Sequence, residues 1–194
     1  MYLDGEWLDT EIITGQKYIC GHCGTETGSS GGYTLEYFDP HFGKVNAGYI
    51  LICTTCNFPT FKNDSKQVPH PKIVITVEHL PESLEKLFLE TRDTISSGLF
   101  NSTVLLCRKM LMNLAVQEGA DENKNFAYYV DYIENNGLIT NKMKPWVDRI
   151  RLIGNTATHE IPDVSQNDAQ LSFDFLVMLL KLVYEFPNKM QPNS

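Results

Sequence analysis

Four of the five cysteines in this 194-residue chain fall into two pairs, Cys20-Gly-His-Cys23 and Cys53-Thr-Thr-Cys56. A Cys-x-x-Cys turn brings two thiolates to one side of a tight loop whose amides can donate to the sulfurs, and two such loops close a tetrahedral shell of the kind zinc prefers. Each pair is followed by a residue that tolerates a left-handed backbone, Gly24 and Asn57, which suits that geometry. Four thiolate ligands leave no coordination position for water. The spacing therefore predicts one structural Zn2+ on Cys20, Cys23, Cys53 and Cys56, replacing the core that so short a segment lacks. The competing reading, four free buried thiols, explains the paired spacing poorly. His22, inside the first loop, is expected at the surface rather than on the metal. Paired cysteines of this kind point to metal ligation in a reducing compartment, hence to the cytoplasm.

Charge narrows the partners. The chain carries a formal net charge of -8, so it lacks the uniformly basic surface that drives non-specific nucleic-acid binding, and any such contact must be local. Residues 1–79 hold 5 Lys and no Arg against 9 acids, and residues 80–194 hold 11 basic against 15 acidic residues, so each part is at -4. The opening MYLDGEWLDTEII has neither a basic leader nor a long apolar run, and no later stretch approaches the length needed to cross a bilayer. No membrane partner is expected.

Hydrophobic periodicity divides the chain. Up to about Lys62 it is rich in Gly, Thr, Tyr and Phe, and the stretches Tyr33–Phe38 and Tyr49–Ile52 read as strands, with Gly28–Gly32 as a flexible loop. Residues 63–79 form a linker in which Pro69 and Pro71 limit helix and Lys72–Val77 can extend. From Pro81 apolar residues recur at helical spacing: Leu84, Leu87, Phe88 and Ile95, then, after Ser96-Ser-Gly98, Val104 to Ala115. A third helix is expected over Phe126–Asn135, ended by Asn136-Gly137, a fourth from near Pro145 to about His159, ended by Pro162, and a fifth from about Gln166 to Phe186, stopped by Pro187. The predicted fold class is α+β, a small β-rich zinc ribbon (1–62) followed by an all-α bundle of about five helices (80–187) and a tail (188–194).

The segments Leu80–Leu84, Leu105–Leu111, Arg149–His159 and Leu182–Pro187 resemble, in order and spacing, the family known as domain of unknown function 4145, over about residues 80–187. Its most specific element, Arg-x-x-Gly-Asn-x-x-x-His, stands here as Arg151, Gly154, Asn155 and His159. The resemblance implies a helical bundle related to the HEPN superfamily, many of whose members are metal-independent ribonucleases or inactive RNA-binding relatives, often homodimers, and it suggests a toxin or phage-defence setting. Arg151 and His159 are farther apart than in that superfamily's usual ribonuclease motif, and Met112 stands where many relatives are expected to carry an acid.

The residues can also be read without the family. On a helix Arg151, Asn155 and His159 recur every four residues and form one polar stripe, with Asp148 a turn earlier. An imidazole can move the proton of a ribose 2′-hydroxyl and a guanidinium can hold a phosphate, so Arg151, Asn155 and His159 are the candidate catalytic residues of an endoribonuclease. The structural alternative pairs Asp148 with Arg151, lets Asn155 bond backbone and makes Gly154 a packing residue; the chain is then an adaptor for a protein or nucleic-acid partner, or an accessory unit. Arg108 reads as half of an ion pair or as a second cation near Arg151. Cys107 reads as core, His41, His70 and His79 as surface, and Lys142, Lys144 and Arg149 around Trp146 as a solvated face.

Overall fold

Frequent glycine and alternating apolar residues keep the first third of the chain extended. The structure, a computed structural model, describes residues 2–28, 31–159 and 163–190, with only the backbone of 155–159. Strands β1 (Lys17–Ile19) and β2 (Glu26–Gly28) form an antiparallel pair, and β3 (Gly32–Asp39), β4 (Gly43–Ile52), β5 (Pro59–Lys62) and β6 (Gln67–Val68) form a four-stranded antiparallel meander in chain order. Both strand stretches read from the sequence lie within β3 and β4. The β3–β4 turn is closed by Asp39, whose Oδ1 accepts from the amides of His41 (2.7 Å) and Phe42 (3.0 Å), with Gly43 at φ 76°. Ser29 and Ser30 of the Gly/Ser loop lie outside the described residues. Ile13, Tyr18, Leu51 and the cysteines Cys20, Cys53 and Cys56 make the small core of this part.

Contacts divide the chain into two compact units, residues 1–74 and 75–194. Strand β6 and the segment up to Val74 thus pack with the ribbon, while Lys72–Val77 joins no sheet.

The second unit is helical: α1 (Glu82–Ser96), α2 (Phe100–Gln117), α3 (Phe126–Asn135), α4 (Lys144–His159), α5 (Gln166–Leu180), a π-helical turn over Lys181–Glu185 and a last turn, α6 (Phe186–Lys189). The ends follow local chemistry. Asn125 caps α3 by accepting from Tyr128 N (2.9 Å), and Ser165 caps α5 by accepting from Asp168 N (3.1 Å). Gly98 (φ 73°) and Gly137 (φ 72°) turn the chain out of α1 and α3, where Leu99 N reaches Thr94 O and Leu138 N reaches Ile133 O, both at 3.0 Å. Helix α2 packs against α1, α3, α4 and α5 and buries Val104, Cys107, Met110, Leu111 and Leu114 among them, with Phe173, Leu176 and Leu179 of α5. Cys107 is core, as its apolar surroundings in the sequence imply.

One expectation is corrected. Pro187 does not stop the last helix, which continues to Lys189. A proline ring clashes with the carbonyl four residues back, here Val183, and that carbonyl lies in the π turn, whose wider path opens the space the ring needs. Pro162, the expected end of α4, is outside the described residues. Among the described residues no helix is long and apolar enough to cross a membrane.

Candidate metal centre

The two cysteine pairs occupy equivalent hairpin turns, one joining β1 to β2 and the other β4 to β5, with matching hydrogen bonds. Cys20 N donates to Thr25 O (3.0 Å) and Gly24 N to Cys20 O (2.8 Å); Cys53 N donates to Phe58 O (3.1 Å) and Asn57 N to Cys53 O (2.9 Å). The fifth residue of each turn is left-handed, Gly24 at φ 75° and Asn57 at φ 62°. Glycine is required at the first for space as well, since a Cβ on Gly24 would stand 2.0 Å from Val74 Cγ1. A Cβ on Gly21 would meet the carbonyls of Pro69 and His70 at 2.6 Å, so the chain after β6 lies directly over the first turn. Asn57 instead forms side-chain and carbonyl bonds across the unit. Its Nδ2 donates to Leu3 O (2.9 Å) and Gly5 O (3.1 Å), and its carbonyl accepts from Trp7 Nε1 (3.0 Å). These bonds fasten the N-terminal segment to the second turn.

The turns bring the four Sγ atoms within 4.8 Å of one another, with Cys20–Cys56 and Cys23–Cys53 each at 3.7 Å. A disulfide needs about 2.05 Å, and all four cysteines are free. Zn–S bonds of about 2.3 Å in a tetrahedron place sulfurs about 3.8 Å apart. The cage therefore has the size and donor set of a metal site. His22 N lies 3.4 Å from Cys20 Sγ and donates to it. Burial pushes the Cys56 thiol up to about 12 and raises Cys20 as well. Burial acts on Cys23 in the same sense, but the hydroxyl and amide of Thr25 outweigh it and hold that thiol down at about 6. Cys23 is thus disposed to ionise near neutral pH, while burial favours the neutral thiol at Cys20 and Cys56 until a cation compensates their charge. The Tyr18 hydroxyl is buried without a protein partner, and burial followed by the charge of the four sulfurs raises its pKa.

His22 is not the surface residue the sequence suggested. Its ring stacks on Phe58 at 4.6 Å and its Nε2 lies 3.1 Å from Pro59 O, half-buried against the end of the second turn and the start of β5. Thr25 and Tyr18 belong to no motif in the sequence; the signal for both is their place two residues from a candidate ligand. His41, His70 and His79 are exposed, as expected.

The polar stripe can be followed only at its start. Arg151 pairs with Asp148 at 3.2 Å, the side chains 51% and 44% exposed, and a pair so open to water contributes about 1 kcal/mol or less. A phosphate could therefore displace it. The side chains of Asn155 and His159 lie outside the described residues. Gly154 is a packing residue: a Cβ there would lie 3.1 Å from Arg108 Cδ, and the Arg108 guanidinium sits 4.4 Å over the Phe126 ring. Lys144 pairs with Glu134 (2.9 Å), Arg149 Nε with Asp168 (3.2 Å), and Trp146 stacks on Phe175, so Lys144 and Arg149 are neutralised on a partly exposed face.

A family model described as Domain of unknown function (DUF4145) matches residues 89–193, more than half of the chain. The chain belongs to this family. The DUF4145 match starts inside α1 and takes in Arg151, Gly154, Asn155 and His159, while the ribbon lies before it. No curated protein and no solved structure matches the chain.

Proposed function

We propose that the four sulfurs hold one zinc ion and that this DUF4145 protein is a binding module, a zinc ribbon joined to a helical domain that recognises a partner rather than an enzyme. The sulfur cage carries this reading. It is closed and made only of thiols, its spacing fits a tetrahedral ion, and soft ligands in that geometry favour zinc among the abundant divalent metals. Bound there, zinc would supply a cross-link between two hairpin turns and no open position for a reacting water. Cys20, Cys23, Cys53 and Cys56 would hold it, with the His22 amide donating to Cys20 Sγ and the Thr25 hydroxyl 3.4 Å from Cys23 Sγ. Protein purified from zinc-replete cells should contain one equivalent of zinc by elemental analysis, and Cys53→Ser should contain less than a tenth of that; wild type without zinc would overturn the proposal.

A second reading has its own support. Arg108 packs against α4 at Gly154, three residues beyond Arg151, so two guanidinium groups flank the segment that leads to His159. That arrangement suits a HEPN-like, metal-independent endoribonuclease working as a cytoplasmic homodimer in phage defence, with Arg151 binding phosphate, Asn155 assisting and His159 moving the 2′-hydroxyl proton. Labelled single-stranded RNA incubated in chelator decides between the two. Cleavage by wild type that His159→Ala abolishes would establish the ribonuclease, and intact RNA with both leaves the binding module.

A further inference from the structure

The hydrogen bonds of Asn57 do more than brace the second turn. They fasten the N-terminal segment at Leu3 and Gly5, and a cleft of about 290 Å³ lies beside these bonds, lined by Tyr2, Glu6, Trp7 and Thr10 from that segment and by Cys53 and Thr54 from the second turn. That volume is at the low end of ligand sites, enough for the end of one side chain and small for a nucleotide. Its chemistry is one-sided. The side chains offer a carboxylate, two aromatic rings and the hydroxyls of Tyr2, Thr10 and Thr54, the last already bonded to Thr27 Oγ1 at 2.7 Å, and among the described residues no Lys, Arg or His lines the cleft. The indole N–H of Trp7 is already engaged by the Asn57 carbonyl, so the ring offers its π surface alone. A second hollow on the same segment adds Asp4. Residues 2–11 contain four acids, Asp4, Glu6, Asp9 and Glu11, and no Lys or Arg. Among the described residues no basic side chain pairs with Asp4 or Glu6.

A ligand for this cleft must bring positive charge, donate hydrogen bonds and lie against an aromatic face. Nucleic acid fails the first requirement, because its phosphates would be repelled. A guanidinium meets all three better than an ammonium, being planar, weakly hydrated and able to stack on indole while donating to a carboxylate. We propose that this cleft is a recognition site for an arginine side chain on a partner protein, with Glu6 as the anionic contact and Trp7 as the stacking wall. The inference rests on the binding-module reading and gives it a partner class, a basic protein segment. Because Cys53, Thr54 and Asn57 belong to the second turn, the site is formed only when that turn is closed.

The test uses the zinc-loaded chain of residues 1–194 with Trp146→Phe, so that Trp7 is its sole indole, at low ionic strength. The peptide acetyl-Gly-Gly-Arg-Gly-Gly-amide is titrated while Trp7 emission is followed, beside the same peptide with uncharged citrulline for arginine and beside agmatine as a free alkyl guanidine. We expect a saturable change with the arginine peptide, at least tenfold weaker binding of the citrulline peptide, and a similar tenfold loss in Glu6→Gln. Equal response to arginine and citrulline, no saturable response, or an unchanged affinity in Glu6→Gln would overturn the site. Binding of agmatine without binding of the peptide would overturn its assignment to a protein partner. Zinc content measured on the same samples separates failure of this site from failure of the metal centre.

Discussion

Gly24 and Asn57 hold the same left-handed position in the two metal turns, but they fail differently when replaced. Alanine at Gly24 meets a backbone strain of about 1–2 kcal/mol and also a Cβ 2.0 Å from Val74 Cγ1, so Gly24→Ala should lower both the melting temperature of the ribbon and its zinc retention against a competing chelator. At Asn57 a glycine keeps the backbone and removes only the two bonds to Leu3 and Gly5, each with a net contribution of about 1 kcal/mol. Asn57→Gly should therefore retain zinc yet release the N-terminal segment, seen as faster amide exchange at residues 3–7 and loss of the Trp7 cleft. The left-handed role of both residues was legible in the sequence, because it follows from their place after a Cys-x-x-Cys turn. The neighbours that make Gly24 irreplaceable were not: Val74 lies 50 positions away, and nothing local records which distant side chain will arrive. His22 was misjudged for the same reason, its partners Phe58 and Pro59 being supplied by the opposite turn.

Among the elements, those with chemical punctuation were read closely. Asn125, Ser165, Gly98 and Gly137 mark helix ends through bonds that need only a few adjacent residues, whereas β1 and β2, at three residues each, are too short to show a period. The π turn ends at Glu185, whose partners include the distant Glu78 and leave no local pattern in the sequence. That carboxylate is buried; it accepts from Lys189 Nζ at 2.7 Å and from the amide of Glu78 at 3.2 Å, with Lys181 at 3.9 Å and Lys189 also 3.2 Å from the Glu78 carboxylate. The hydrogen bond from Lys189 is the main cause that lowers the Glu185 pKa, helped by the Glu78 amide and opposed by burial. A carboxylate depressed in the folded state contributes stability that is complete above its unfolded value of about 4.3 and is lost as pH falls through the folded value. Wild type should accordingly melt above Glu185→Gln at neutral pH, and the gap should close as melts are repeated from pH 5 downward. A gap independent of pH would show that the side chain acts by shape alone.

For the whole molecule, two compact units imply two separable stabilities. Chelation of the metal should unfold the ribbon, seen in the near-ultraviolet signal of its tyrosines and of Trp7, and leave the far-ultraviolet helical signal of residues 75–194 largely intact. The helical unit depends on α2, which is packed on four other helices; Leu114→Ala or Phe173→Ala, at sites with 0% exposure, should cost about 3–5 kcal/mol in denaturant unfolding. At this scale the fold class was readable, since the period changes from two to about 3.6 near Pro81, and so were the four sulfurs. The arginine cleft was not, because it needs Trp7 and Thr54 side by side across 47 positions.

The route by which the ion is captured follows from the β3–β4 hairpin. Cys23 and Cys53 are 30 residues apart, and in an open chain their encounter carries a loop-closure penalty that grows with the logarithm of that separation. The hairpin zips from its Asp39 turn by contacts between near neighbours, and once it reaches Gly32 and Leu51 it has already carried the second pair toward the first. Zinc then closes only the loop left between Cys23 and Gly32 rather than one of thirty residues. Side chains far from the metal should thus govern how quickly it is acquired and scarcely affect how firmly it is kept. Asp39→Ala, stripped and remixed with zinc, should regain its full equivalent of metal at a slower rate than wild type, a separation of speed from affinity that a measurement of metal content alone would miss.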